Sequence, residues 1–175
     1  MKCLALFSAL LYVSLTTSCA QSTKITKHRF IHVIKRAERL AKKEFGYNCA
    51  WLTKDTDSSF VKADTIYFYS FDGKKNLALQ GVCRTVAWLF FDTHSLHKRE
   101  NLFCQEPPVF LTSNDGRYDY HLLISTIHHK VILSTINWLS KNKEYYEVVQ
   151  LKECFPADYN GAYYRMTLVR TLIHY

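Results

Sequence analysis

The chain has 175 residues, 48% hydrophobic and 15% aromatic, and a formal net charge of +8. That composition excludes intrinsic disorder, and the length suits one domain. The charge is uneven: Lys24, Lys27, Arg29, Lys35, Arg36, Arg39, Lys42 and Lys43 crowd residues 21 to 46 against only Glu38 and Glu44, so most of the basicity belongs to one segment.

Residues 1 to 20 read as an export signal. Lys2 precedes an apolar stretch from Leu4 to Leu15, and small residues follow. The stretch falls short of the roughly 20 residues that a membrane-spanning helix needs. Two processing routes fit. Ser18-Cys19-Ala20 offers a cleavage site after Ala20. Alternatively, Leu15-Thr16-Thr17-Ser18-Cys19 resembles a bacterial lipobox, with Thr16 where an aliphatic residue is usual, and Cys19 would then carry lipid. Both routes predict an exported protein, either secreted or lipid-anchored at a bacterial envelope, with residues 21–175 forming a single globular domain.

Phe30, Val33, Ile34, Ala37, Leu40, Ala41 and Phe45 recur at spacings of three and four, which predicts an amphipathic helix over residues 24–45 with Gly46 as its stop. The cations fall on the remaining faces. Lys35, Arg36, Arg39, Lys42 and Lys43 are therefore the candidate binding residues, suited to an anionic membrane surface or an acidic protein partner. The plainer alternative is a solvated face whose apolar stripe packs on a sheet.

Thr53 to Ser59 reads as a polar loop. Thr65 to Phe71 is rich in strand formers, Asp72-Gly73 marks a turn, and alternation from about Leu77 to Phe91 predicts a second strand. Residues 92–107 read as a long loop, Val109 to Thr112 as a short strand and Ser113 to Gly116 as a turn. From Tyr118 to Leu139 the pattern is mixed. Ile124, Ile127, Val131, Thr135 and Leu139 keep helical spacing among β-branched residues, which predicts a strand and then a second helix near 124–140. Strands follow at Tyr145–Leu151 and Tyr163–Ile173. The expected class is α+β: one long N-terminal helix on an antiparallel sheet of about four to five strands. That order of elements resembles cystatin-like and nuclear transport factor 2-like domains, a resemblance of layout that implies no function.

Cys49, Cys83, Cys104 and Cys154 remain after either processing route. Four cysteines in an exported chain predict two disulfides, with three possible connectivities. A zinc site would want cysteines two to four residues apart, whereas the smallest gap here is the 21 residues from Cys83 to Cys104.

Catalytic signals are thin. Asn48-Cys49-Ala50-Trp51 has only a superficial likeness to the surroundings of a thiol nucleophile. Asp92, His94 and His97, and Asp119 and His121 with His128 and His129, are ligand-type residues in no recognised metal spacing, so no metal or cofactor is expected. A rival reading makes His121, His128 and Lys130 an acid–base set for a small secreted basic hydrolase of nuclease type. There is no glycine-rich phosphate loop, and no specific nucleic-acid recognition is expected. The leading expectation is a non-enzymatic exported binding protein.

Overall fold

The structure, a computed structural model, describes residues 18–19, 24–45, 49–55, 59–71, 81–104, 107, 109–111, 115–155 and 163–172. Most of the expected export signal thus lies outside the described residues. In chain order the elements are β1 (Ser18–Cys19), α1 (Lys27–Phe45), β2 (Ala50–Lys54), α2 (Ser59–Lys62), β3 (Thr65–Phe71) and β4 (Arg84–Phe90). They continue with β5 (Ser95–Leu102), β6 (Val109–Leu111), β7 (Asp119–Ile127), β8 (Lys130–Asn137), β9 (Lys143–Phe155) and β10 (Tyr163–Arg170).

The expected α+β layout is not what forms. Strands pair in the order β9-β10-β3-β2-β4-β5-β7-β8, and β8 pairs again with β9, so eight antiparallel strands close into a barrel. The two remaining strands extend the ladders: β1 pairs with the Cys154–Phe155 end of β9, and β6 with the Glu100–Leu102 end of β5.

An eight-stranded barrel has an interior just wide enough to be filled by side chains. Here Phe68, Trp88, Leu96, Leu133, Tyr146, Met166 and Leu168 fill it. The rings pack at angles: Trp88 lies 4.7 Å from Phe68 and, edge-on, 5.1 Å from Tyr146.

Helix α1 forms close to its expected span. Thr26 caps it, its hydroxyl accepting the Arg29 amide at 3.1 Å. The buried stripe of Phe30, Ile34, Ala37 and Ala41 joins the same core cluster as Trp51, Phe90 and Tyr164. The helix touches both β7 and β10, which are not neighbours in the barrel, so it lies across one open end. Phe30 meets Phe90 edge-on at 6.3 Å, and Arg36 reaches Glu153 at 3.3 Å. At the opposite end the short α2 brings Phe60 to 6.3 Å from Phe68.

The expected second helix near 124–140 is instead a hairpin, β7 and β8. Its helical spacing was coincidental. Every residue from Val131 to Thr135 is buried, so both faces of β8 are covered and the period-2 signal is lost. The chain reverses at His128 and His129, between the paired Ile127 and Lys130, with φ of 48° and 64°. Both angles suit the tight mirror-image turn that right-twisted strands prefer. Residues 92–107, expected as a loop, contain β5, whose charged run His97-Lys98-Arg99-Glu100 resembles solvated chain. Part of the polar stretch from Thr53 belongs to β2, which is buried at all but its last residue.

Candidate functional site

The two faces of α1 have separate roles. Phe30, Ile34, Ala37 and Ala41 are buried, while His28, His32, Lys35, Arg36, Arg39 and Lys42 are exposed. The helix carries seven Lys or Arg against two Glu. Among the described residues, Arg36 meets Glu153 and Lys42 meets Glu38 at 3.1 Å. Four of the five expected binding residues, Lys35, Arg36, Arg39 and Lys42, therefore share the solvent side. The Lys43 side chain lies outside the described residues. Beside this face, Phe30, Ile31, Ile34, Phe90 and Ile124 floor a shallow groove of about 200 Å³, rimmed by Lys35, Glu38 and Asp92.

A second polar centre lies inside the barrel. Lys98 points inward from β5, its side chain only 8% exposed, and its ammonium bonds to the Glu144 carboxylate. The ammonium also stands 4.0 Å from the Tyr120 ring centroid and 4.9 Å from that of Trp88. Burial pushes the Lys98 pKa down to about 8, against the opposing pull of Glu144. For Glu144 burial acts upward, but the Lys98 charge and hydrogen bond prevail and hold the carboxyl below its ordinary range. Nearby, Arg84 bridges buried Asp55 at 3.1 Å and Glu100 at 2.7 Å, and Arg170 donates to the Phe60 carbonyl at 2.7 Å. The sequence offered little signal for this cluster, because an inward lysine within a charged run looks like any surface lysine.

The rival acid–base residues are not brought together. His121 stacks on Trp138 at 4.5 Å, near the start of β7. His128 occupies the tip of the β7–β8 hairpin, about 23 Å away along the strand at ~3.3 Å per residue. Lys130 pairs with Glu147 at 2.9 Å. The two ligand-type stretches do meet at one point, where His97 Nδ1 lies 2.8 Å from Asp119 Oδ1. Asp92 instead shapes its own turn, accepting the His94 and Ser95 amides at 2.6 and 2.7 Å. Among the described residues no cluster of three or more His, Cys, Asp or Glu could hold a metal ion.

The cysteines correct the sequence reading in part. Cys83 and Cys104 form a disulfide. Cys49 keeps its thiol in the core, with Sγ 3.8 Å from the Ala50 carbonyl oxygen, so the expected second bridge within this set of four is not made. Cys49 precedes β2 and Cys154 lies in β9, and strands β3 and β10 stand between those two in the barrel. Two intervening strands hold the backbones about 14 Å apart, beyond the reach of a disulfide. Cys154 is nevertheless disulfide-bonded. In the β1–β9 register the residue directly across from it is Cys19.

The chain matches no protein-family model, no curated protein and no solved structure. Among the described residues no helix is long and apolar enough to cross a membrane, which says nothing of strands.

Proposed function

We propose that this chain is an exported binding protein in which a closed barrel displays the basic face of α1 to an anionic membrane surface or an acidic protein partner. The observation that carries the reading is the division of α1: its apolar stripe is packed into the core, and its cations face solvent. Among the described residues of the helix, Leu40 is the one large apolar side chain left exposed, so the contribution of α1 is chiefly electrostatic.

The β1 register favours neither export route, because cleavage after Ala20 would remove Cys19 and the lipobox route would place lipid on it. Cys154 is half of a disulfide, and Cys19 is placed opposite it. The hydrolase reading gains nothing from the geometry, since its two histidines stand at opposite ends of β7.

The test is association of the full mature chain with anionic vesicles and with an acidic polypeptide across a salt series. Replacing Lys35, Arg36, Arg39 and Lys42 together by Gln is expected to weaken binding at least tenfold and flatten its salt dependence. Unchanged association would overturn the reading. Intact mass of the native protein decides the anchor: acyl groups on Cys19 would mark the lipidated chain, and a chain starting at Gln21 the secreted one.

A further inference from the structure

We propose that one edge of α1 is an acid-strengthened binding surface for anionic lipid headgroups, in which His28 and His32 lengthen the cationic row of Lys35, Arg39 and Lys42. The inference rests on the binding function proposed above and adds to it both the class of partner and its regulation.

The row is set by spacing. Positions 28, 32, 35, 39 and 42 step by four, three, four and three, which keeps side chains on one line of a helix. All five are exposed. The stripe of Phe30, Ile34, Ala37 and Ala41 lies on the opposite side and is buried. Fourteen residues at ~1.5 Å each make the row about 21 Å long.

Among the described residues, the charged groups nearby leave the histidine end of the row open. Glu38, on the flank of α1, is engaged by Lys42. Glu153 of β9 is engaged by Arg36. The Tyr164 hydroxyl of β10 donates to Glu153 at 3.1 Å, and burial pushes its pKa up to about 12, beyond any physiological titration. Asp92, from the turn between β4 and β5, rims the groove with Lys35 and Glu38 rather than with the histidines. Within the helix, the immediate neighbours of His28 are Lys27 and Arg29.

The shape selects a flat partner. A helix face is convex, and Lys35, Arg39 and Lys42 display no aromatic residue among them for stacking or pocket insertion. Such a ridge matches a planar array of phosphates, where each added cation strengthens binding about fivefold. Histidine is the side chain whose ordinary charge change falls between pH 5 and 8. Cationic charge at positions 28 and 32 would extend a row in which Lys42 is already shared with Glu38.

The experiment is cosedimentation of the full mature chain with mixed phosphatidylcholine–phosphatidylserine vesicles at about pH 7.5 and about pH 5.5. The wild type is expected to bind roughly 10- to 25-fold more tightly at the acid pH. His28→Asn with His32→Asn should cut that rise to about twofold while leaving binding at the higher pH intact. His121→Asn, at the far end of β7, should keep the full rise. An undiminished rise in the double variant, or equal binding to pure phosphatidylcholine, would overturn the inference. So would tighter binding to poly-glutamate than to the vesicles. Binding without pH dependence would sink this inference and spare the proposed function, whereas no binding to vesicles or acidic polypeptide at either pH would sink both.

Discussion

Lys98 and Glu144 meet inside the barrel, the ammonium of one bonded to the carboxylate of the other beneath the ring of Tyr120. The pair is unequal: the lysine side chain is 8% exposed and the glutamate 36%. Glu144 therefore keeps part of its hydration while Lys98 depends on its partners. Removing the acid should then harm the fold more than removing the base. Glu144→Gln is expected to cost about 2–3 kcal/mol, because it strands a buried charge. Lys98→Met should stay within about 1 kcal/mol, because Met fills the same space and Glu144 can turn to water. Urea denaturation of both variants measures the order, and a milder effect for Glu144→Gln would contradict it.

The same pair predicts how stability follows pH. The Glu144 pKa lies below its ordinary 4.5, so its stabilising contribution is complete above that pH and is lost as the pH falls below it. Lys98 has the opposite sense. Its pKa of about 8 lies under the ordinary 10.5, so its burial opposes folding at neutral pH and that opposition fades as the pH rises between the two values. Wild type should gain on Lys98→Met from about pH 8 upward, as read from paired denaturation curves. A constant difference would mean that Lys98 titrates normally.

The β7–β8 turn places two histidines at positive φ, a conformation that L residues adopt at a cost and that Asn and above all Gly meet more easily. His128→Asn with His129→Gly should raise stability by about 0.5–1 kcal/mol. Thermal unfolding monitored by circular dichroism suffices to detect the shift. A loss would mean that the imidazoles themselves hold the turn.

The Cys83–Cys104 bridge closes the ladder of β4 and β5 just beyond the paired Arg84 and Leu102, where the Phe103 amide donates to the Cys83 carbonyl at 2.7 Å. The loop it encloses spans 21 residues, for which chain entropy suggests about 3 kcal/mol. Replacing both cysteines by Ser should cost somewhat less, about 2–3 kcal/mol, because the ladder already restrains that loop. Hydrogen exchange should show new fraying at Arg84 and Leu102. An unchanged exchange pattern would show that the ladder holds without the bridge.

How much of this was legible depended on burial. α1 could be read because one face is wet and the other dry, which keeps the 3.6-residue period intact. β10 was legible for the related reason that Tyr164, Met166 and Leu168 face inward between less buried neighbours. β2 and β8 are buried on nearly every residue, so apolar and polar residues no longer alternate along them and closure of the barrel left no mark, whereas β4 falls within the strand expected over about Leu77 to Phe91. β5 failed in the opposite way. Its inward Lys98 is stabilised by Glu144, Tyr120 and Trp88, partners from three other strands that no local window contains. The cationic face could be listed residue by residue, whereas its separation from the core needed the packing of Phe30 and Ala41.

That separation predicts that the two sides of α1 respond oppositely to mutation. Phe30 is fully buried and meets Phe90, so Phe30→Ala should cost about 3–4 kcal/mol through lost burial and the cavity left behind. Arg39 and Lys42 are exposed, so Arg39→Gln with Lys42→Gln should change stability by less than about 0.5 kcal/mol while weakening association with anionic vesicles severalfold. Denaturation and cosedimentation on the same two proteins separate the roles. If the cation variant lost stability as Phe30→Ala does, the basic face would be a structural surface and the binding role would have to lie elsewhere on the barrel.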